Sequence, residues 1–460
     1  MLALDYTFMR EPAVAGAITE AAWKSAAAPF RQARAATMDR YARGELGFFD
    51  LPRDVGLLAS GIEAAKQAHA RGVTDVVVLG IGGSALGPIA LRTALRPSGW
   101  NTLSETARGG LPRLHVLDNV DPGTMAALLE RLDPRTVLVV VISKSGGTAE
   151  TMAQYLVARA WLEAAGAPPR DHLVFVTDPE RGALRKLANQ EGIPSLAIPP
   201  NVGGRFSVLS PVGILPALLM GIDARALLDG ADEMRQRCDT DDLGRNPAGV
   251  FAVLQWLSDR RQGRGTHVFM PYADQLRDLA AWFVQLWAES LGKIAGDGTH
   301  VGPTPVAALG ATDQHSQVQL FMEGPADKTV TFVVVREGGV DLPIPNTHAD
   351  LPDLAYLGGH TLGELLRAEQ QATAAALAAR GRPSMTITLD RCDAWHLGGL
   401  FMLLEIATAY AGELYGVNAF DQPGVELGKR FTYALFGRPG FADARQEWEG
   451  LPRSDPRYIV

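Results

Sequence analysis

Short apolar runs alternate with helical stretches along the chain, and this alternation limits the possible fold more than any other feature of the sequence. Four runs rich in β-branched residues lie in the first half, at 75–80, 136–143, 172–178 and 195–199. Each run is almost continuously apolar and is followed by a Gly, Ser or Asp turn and an amphipathic segment. This pattern is typical of strands buried in a parallel sheet, so we predict a doubly wound α/β domain.

A second set of apolar runs follows the same pattern in the other half of the chain. These runs and the helical patterns between them lie, in order, at 266–272, 273–294, 329–335, 361–380, 384–390 and 393–416. We therefore predict two three-layer αβα domains with doubly wound parallel sheets and no clear sequence repeat. The predicted divisions are a helical N-terminal extension at 1–55, a first domain at 56–222, a helical linker at 223–262, a second domain at 263–436 and a C-terminal tail at 437–460.

The charge balance argues against two classes of partner. The 43 basic and 51 acidic residues give a formal net charge of −8, and no dense Lys/Arg run occurs. Nucleic acids and anionic membrane surfaces are therefore not expected partners. The first residues carry Asp5, Arg10 and Glu11 where a secretory signal needs an apolar core, and no apolar stretch is judged long enough to span a bilayer.

Cysteine and histidine usage predicts neither disulfides nor a metal site. Cys238 and Cys392 are the two cysteines of the chain and form no C-x-x-C or zinc pattern. The nine histidines contain no H-E-x-x-H motif and no pair at i, i+4 spacing. We expect a cytoplasmic protein without a dedicated metal site.

The segment from Gly80 to Pro88 closes a predicted strand and opens a helix. Its glycines let the backbone approach an anion, and the helix start supplies partial positive charge. A dinucleotide fingerprint would need an acidic residue about 20 positions on, but Asp118 lies 38 residues after Gly80. This segment alone does not decide between three interpretations: a sugar or phosphate site, a structural turn and a nucleotide site.

A second polar loop runs from Ser143 to Thr151, again between a strand and a helix. The hydroxyls of Ser143, Ser145 and Thr148 and the ammonium of Lys144 have the chemistry that a phosphate dianion needs. The loop does not satisfy the Walker pattern. The alternative is a helix cap rich in Ser and Thr.

Two further segments carry a fixed-cation candidate and a carboxylate candidate. Arg205 follows two glycines and precedes an apolar helix, so it can face a pocket or clamp a carbonyl or an acidic neighbour. Glu289 follows an aromatic-rich helical stripe, where partial burial would make its carboxylate a better base. A surface ion pair between Glu289 and Lys293, at i, i+4 spacing, is the alternative.

The last two segments hold a polar patch around His315 and a turn into a helix that bears Lys429. The patch lies in the segment Ala311 to Gln317 and is as compatible with a satisfied hydrogen-bond network as with a site. The segment from Asp421 to Arg430 has a proline and two glycines before its basic residues. A solvated basic helix face is the alternative there.

Taken together and in this order, the six segments resemble the glucose-6-phosphate isomerase family, also called the phosphoglucose isomerases. The similarity extends from about residue 55 to 436 and rests on GIGGSALGP, GGRFS, ESLGK, DQHS and DQPGVELGK. It implies two sugar-isomerase α/β domains, a homodimer and an enzyme of glycolysis and gluconeogenesis that interconverts glucose 6-phosphate and fructose 6-phosphate. Gly146, Gly147, Leu291 and Pro423 depart from the usual family residues, which leaves the breadth of accepted sugar phosphates open.

The resemblance also implies roles for individual residues. Glu289 would move the proton between C2 and C1, Arg205 would stabilise the enediolate, and His315 of the partner subunit would assist ring opening together with Lys429. The residues that would bind substrate are Gly83, Ser84, Ser143, Lys144, Ser145, Thr148 and Gln422. No cofactor or metal is required, because one carboxylate can carry the proton. A non-catalytic sugar-phosphate sensor and, on GIGGS alone, a nicotinamide-dependent dehydrogenase are the rival interpretations.

Overall fold

The computed structural model describes residues 2–460, which form two compact units. The first unit extends to Ala419 and the second is Phe420–Val460. The strands are β1 Leu2–Asp5, β2 Asp75–Leu79, β3 Arg113–Leu117, β4 Val137–Ser143, β5 Leu173–Thr177, β6 Ser195–Ala197, β7 Thr266–Pro271, β8 Lys293–Ile294, β9 His300–Val301, β10 Thr304–Ala307, β11 Lys328–Val335 and β12 Ser384–Leu389.

The helices of the first unit cover both faces of its sheets or connect them. They are α1 Glu20–Ser25, α2 Ala27–Ala42, α3 Val55–Ala70, α4 Leu86–Leu95, α5 Pro122–Arg131, α6 Ala149–Ala164, α7 Pro169–His172, α8 Ala183–Glu191, α9 Pro211–Leu219, α10 Ala224–Arg237, α11 Pro247–Gln262, α12 Arg277–Leu291, α13 Val318–Glu323, α14 Pro352–Ala355, α15 Leu362–Ala379 and α16 Ala394–Tyr415. The second unit contains α17 Glu426–Leu435 and α18 Ala442–Glu449.

The first sheet has the strand order β3-β2-β4-β5-β6, and every pair is parallel. All residues of β2 and β4 are buried, which explains why both strands are almost continuously apolar. After β2 the chain passes to β3 on one side, and after β4 it passes to β5 on the other side. The crevice between β2 and β4 is therefore a topological switch point, where doubly wound sheets bind their ligands.

The second sheet, also of five strands, repeats this arrangement with one difference. Its order is β1-β12-β11-β7-β10, and β7, β10, β11 and β12 are mutually parallel. The edge strand β1 pairs antiparallel with β12, with Leu2 opposite Leu389. The predicted fold class, two doubly wound α/β sheets, is confirmed. The predicted helical extension 1–55 contains α1 and α2 but also β1, and the predicted domain divisions remain predictions.

Helices α10 and α16 contact each other through their backbones. A Cβ added at Gly230 would lie 1.8 Å from the carbonyl oxygen of Trp395, and one at Gly398 would lie 1.8 Å from that of Leu227. Nearly every residue of α16 is buried. The prediction that no apolar stretch is long enough to span a bilayer is wrong for α16, which has the length and composition of a membrane span. In the structure, however, 89% of its apolar window is buried inside the protein, as in a core helix.

Helix α16 also carries a carboxyl group in the interior. Glu405 is 0% exposed, and neither of its oxygens has a hydrogen-bond partner among residues 2–460. Burial raises the pKa of Glu405 well above its ordinary value of 4.5. The side chain is consequently protonated in the folded chain at pH values where it is ionised in the unfolded chain.

We expect Glu405→Gln to remove part of the pH dependence of folding. Above the unfolded pKa of 4.5, the unfolded chain ionises Glu405 while the folded chain keeps it protonated, so stability falls as pH rises toward the folded pKa. As pH rises through this range, the free energy of unfolding should fall more steeply for the unmodified chain than for the variant, by about 1.4 kcal/mol per pH unit. Urea unfolding at closely spaced pH values from about pH 5 upward measures both slopes; equal slopes just above pH 5 would contradict the assignment.

Candidate active site

The candidate site lies at the switch point of the first sheet, where two polar loops leave adjacent strands. Leu79 of β2 is paired with Val141 of β4, so the two strands end side by side. The loop after β2 contains a 3₁₀ turn at Gly82–Ser84, and the loop after β4 leads into α6. The predicted substrate-binding residues of both loops are therefore located at the same sheet edge.

The loop after β4 brings three hydroxyl groups together. Ser143 Oγ lies 2.9 Å from Thr148 Oγ1, and Ser145 Oγ lies 3.3 Å from Thr148 Oγ1 and 3.5 Å from Ser143 Oγ. Thr148 is the N-cap of α6, but within the described chain its side chain makes no capping hydrogen bond. The hydroxyls thus bond to one another beside a helix N-terminus, which is an arrangement that favours an anion.

The ammonium of Lys144 is held at the edge of this loop. Its Nζ donates to the carbonyl oxygen of Pro200 at 2.8 Å. Burial lowers the pKa of Lys144, although the Asp178 carboxylate acts in the opposite direction. Because an ammonium has three donors, the contact with Pro200 leaves two for a ligand.

The backbone of the first loop is in direct contact with the loop that carries Arg205. A Cβ added at Gly83 would lie 2.2 Å from the carbonyl oxygen of Gly204, so a side chain cannot be accommodated there. Arg205 follows in a 3₁₀ turn, Gly204–Phe206. The Gly-rich turn and the Arg205 segment, which the sequence suggested separately, thus form one wall.

Arg205 and Glu289 form an ion pair next to this wall. Arg205 is 4% exposed, and its Nη1 lies 3.2 Å from Glu289 Oε1. Its Nε donates to Ser290 Oγ at 2.7 Å, and its Nη2 donates to the carbonyl oxygen of Ala419 at 2.5 Å. Arg205 therefore makes the contacts of the alternative interpretation, because it clamps a carbonyl and contacts an acidic neighbour. Its predicted role as a fixed cation that faces a ligand stays a prediction.

The second oxygen of Glu289 is held by a residue of its own helix. Gln285 Nε2 donates to Glu289 Oε2 at 3.0 Å. The same Nε2 would lie 2.8 Å from a Cβ at Gly82, so Gln285 is close to the turn after β2. The Glu289 side chain retains 27% exposure, so its carboxylate is partly accessible to solvent. Lys293 instead donates to the carbonyl oxygen of Asn418.

Gln285 and Ser290, which hold the two charged groups, were not predicted from the sequence. Gln285 precedes Glu289 by one helical turn on α12, so i, i+4 spacing could have indicated it. Ser290 is fully buried, and only its contact with Arg205 reveals its role.

His315 lies in an exposed 3₁₀ turn after β10. Its neighbours form a satisfied network: Tyr272 donates to Gln314 Oε1 at 2.6 Å, and Asp313 Oδ2 accepts from the Leu309 N–H at 2.7 Å. The His315 ring itself makes no hydrogen bond to any residue in the described part of the chain, 2–460. The structure therefore brings together Glu289 and Arg205, while His315 points to a surface.

Lys429 and Gln422 belong to the second unit. Lys429 lies in the first turn of α17 and its Nζ is 2.8 Å from Glu426 Oε1, with both side chains well exposed. Gln422 precedes the turn Pro423–Val425. The roles assigned to them stay predictions. Among residues 2–460, no group of three or more His, Cys, Asp or Glu side chains could hold a metal ion.

Comparison with known protein families matches residues 58–444 to the family described as phosphoglucose isomerase. The chain belongs to the phosphoglucose isomerase family. It is therefore an isomerase, and the resemblance found in the sequence is confirmed. A glucose-6-phosphate isomerase of Carboxydothermus hydrogenoformans is 46% identical over 94% of this chain and 93% of its own length. Another from Rubrobacter xylanophilus is 51% identical over 86% of this chain and 90% of its own length.

Solved structures agree with this assignment. A hypothetical protein from Thermus thermophilus has a TM-score of 0.85 and 42% identity, covering 95% of this chain and 100% of that one. A glucose-6-phosphate isomerase from Chlamydia trachomatis has a TM-score of 0.73 and 25% identity, covering 85% of this chain and 75% of that one. A tagatose-6-phosphate ketose/aldose isomerase from Escherichia coli shares the fold alone, with 14% identity and a TM-score of 0.51. The match covers 82% of this chain and 92% of that one.

Proposed function

We propose that this isomerase interconverts glucose 6-phosphate and fructose 6-phosphate by a Glu289-mediated proton transfer through an enediolate. The observation that carries the proposal is the Arg205–Glu289 pair, 3.2 Å apart, beside the glycine-rich turn at the switch point of the first sheet. Relatives named glucose-6-phosphate isomerase that are 46% and 51% identical support the choice of substrate.

The chemistry needs a base and a group that stabilises negative charge. Removal of the C2 proton of the open-chain aldose by Glu289 leaves an enediolate. Return of that proton to C1, together with transfer of the hydroxyl proton from O2 to O1, gives the ketose, so no electrons are gained or lost. The Arg205 guanidinium is a fixed cation that can face the developing oxyanion. Gln285 and Ser290 keep the carboxylate and the guanidinium oriented before the substrate arrives.

The phosphate group would bind at the hydroxyl cluster. Ser143, Ser145 and Thr148 offer O–H donors at the N-terminus of α6, where the helix dipole favours a dianion. Lys144 adds an ammonium, and Gly83 and Ser84 add the turn after β2. Holding the phosphate away from C1 and C2 would fix the sugar relative to Glu289.

We also propose a homodimer with shared active sites, in which His315 enters the site of the partner subunit and assists ring opening. The exposed imidazole, without a hydrogen bond in its own described chain, supports this arrangement. Lys429 and Gln422 would complete the site at the ring oxygen and the pocket wall. The enzyme would serve glycolysis and gluconeogenesis in the cytoplasm, in keeping with free Cys238 and Cys392.

A coupled assay tests the proposed reaction. Purified protein is incubated with fructose 6-phosphate, without added metal, and glucose 6-phosphate is followed through a reporter dehydrogenase. We expect turnover together with incorporation of solvent deuterium at the exchanging carbon. Saturable binding without turnover would instead indicate a sugar-phosphate sensor.

Complementation tests the shared site. If His315 acts in the partner's site, a hybrid of Glu289→Gln and His315→Ala subunits has one site with both defects and one intact site. Equal mixtures that are dissociated and reassociated should therefore recover about one quarter of the unmodified activity, because about half of the dimers are hybrids. No recovery from hybrids whose formation is verified by native mass spectrometry would place His315 in its own subunit's site.

A further inference from the structure

The second sheet has a switch point of its own that the proposed reaction does not use. Strands β7 and β11 are neighbours, and the chain leaves β7 toward β10 at one edge and β11 toward β12 at the other. In doubly wound sheets, ligands bind in the crevice outside the carboxyl ends of such strands. The second sheet therefore offers the same position that holds the candidate active site in the first.

A large cavity occupies this position. Its volume is about 880 Å³, and Tyr272 and Gln275, which follow β7, line it together with Gly338 and Val340, which follow β11. This size lies in the range of small-molecule sites. None of the residues assigned to the Glu289 site lines this cavity, so the two are distinct.

Two arginines give the cavity an electrostatic preference. Arg96, after α4, and Arg367, on α15, both line it. The Nε of Arg96 is buried without a hydrogen-bond partner, and burial lowers the pKa of its guanidinium. Over residues 2–460, neither side chain makes a hydrogen bond or an ion pair within 4.0 Å, although Arg367 acts on Asp341 at longer range. The Arg96 guanidinium lies over the Trp100 ring, 5.3 Å from its centroid, a contact that leaves the N–H donors in the guanidinium plane without acceptors. A buried, unpaired donor on a cation is costly unless a ligand satisfies it.

The acidic residues of the cavity wall do not neutralise these arginines. Asp223 accepts from the Ala226 N–H at 2.9 Å and caps α10. Asp393 accepts from the N–H of His396 at 2.9 Å, and the His396 ring lies 2.8 Å from the same oxygen. Both carboxylates are therefore committed to helix N-termini, and the arginines remain available to an anion.

We propose that this cavity is a second ligand site, which takes a small molecule carrying a phosphate or carboxylate group on an apolar body. Arg96 and Arg367 bind the oxyanion through charge-assisted hydrogen bonds. The apolar body packs on Leu95, Ile222, Val335 and Leu366, which also line the cavity. The site therefore differs in character from a sugar site, which needs hydroxyl partners.

Calorimetric titration of the full-length protein with phenyl phosphate tests the proposal. The active site is first saturated with an equilibrated mixture of glucose 6-phosphate and fructose 6-phosphate, so that only a second site can respond. We expect binding that Arg96→Gln combined with Arg367→Gln weakens at least about tenfold, since two charged contacts are lost. Arg31→Gln, an exposed arginine of α2, is the matched control and should leave the affinity unchanged.

Separate titrations define the ligand class. Benzoate carries a carboxylate in place of the phosphate and shows which anion the site prefers. Inorganic phosphate carries only the anionic part of phenyl phosphate, and phenol lacks that charge but keeps the ring. Equal affinity for inorganic phosphate and phenyl phosphate would overturn the apolar part of the proposal, and equal affinity for phenol and phenyl phosphate would overturn the anionic part. The proposed site would be overturned if neither phenyl phosphate nor benzoate bound, or if the double variant bound phenyl phosphate as tightly as the unmodified protein does.

Protection of a thiol gives a measurement that needs no variant. Cys392 lines the cavity, is partly buried and donates to the carbonyl oxygen of Ala94 at 3.4 Å. Burial raises the pKa of the Cys392 thiol to about 12, so labelling with N-ethylmaleimide is slow and is followed over hours by mass spectrometry. Phenyl phosphate should slow labelling of Cys392 in proportion to occupancy; unchanged labelling at saturating probe would contradict a ligand in the cavity.

Discussion

Glu289→Gln is expected to lower kcat by about 10²–10⁴, because the substituted amide cannot accept the C2 proton. The amide is nearly isosteric, and its oxygen can still accept from Arg205 or Gln285, which contact the carboxylate at 3.2 and 3.0 Å. The geometry of the cleft should therefore survive, and the loss should fall on the chemical step. KM should change little, because the phosphate is held at the hydroxyl cluster rather than at Glu289.

Two measurements separate this effect from a structural one. Glu63→Gln, on the exposed face of α3, is a matched control that should retain full activity. Thermal unfolding should show that both variants remain folded, since Arg205 keeps its bonds to Ser290 and Ala419. If Glu289→Gln retains near-normal kcat, another group is the base and the proposed mechanism is wrong.

Much of the fold could be predicted because the decisive strands are buried on both faces. Strands β2 and β4 have only buried residues, so their sequences are almost continuous apolar runs that polar substitution at their centres would disrupt. The loops that follow them carry Gly, Ser and Thr for equally local reasons: they start helices and approach other backbones. Both the sheet and the position of the candidate site can therefore be inferred from local patterns.

Short edge elements escaped prediction for the converse reason. Strand β1 has four residues and lies antiparallel to β12, and the β8–β9 pair has two residues on each side. Segments this short have no period to detect. Their conformation depends on a partner strand that is distant in sequence, so only the folded structure identifies them.

The ion pair of the candidate site is a second case in which tertiary contacts decide. From sequence, Glu289 had a partner four residues away in Lys293, while Arg205 lay in another segment altogether. In the structure, Arg205 approaches through its glycine turn, and Lys293 donates to Asn418 instead. The i, i+4 spacing offered Lys293 as an ion-pair partner of Glu289, and only the family resemblance placed Arg205 in the same site, because no local rule describes how α12 meets the Gly204–Phe206 turn.

Gly398→Ala is expected to cost at least about 3 kcal/mol of folding free energy, at the upper end of overpacking substitutions. The added Cβ would lie 1.8 Å from the carbonyl oxygen of Leu227, and both atoms belong to rigid helices. No side-chain rotation can relieve this overlap, so α10 and α16 would have to separate. Separation would also weaken the burial of α16, whose residues are almost all inside the first unit.

Neighbouring and distant glycines test whether the close approach itself is responsible. At Gly399 the added Cβ would lie 3.3 Å from the nearest atom, the Gly230 carbonyl oxygen, so Gly399→Ala should destabilise much less. At Gly428, inside α17, no atom lies within 4 Å, and alanine should stabilise that helix by roughly 0.5–1 kcal/mol. Among the three variants, Gly398→Ala should thus have the lowest free energy of unfolding, measured by urea unfolding. A loss at position 399 equal to that at 398 would mean that α10 and α16 are not packed backbone to backbone.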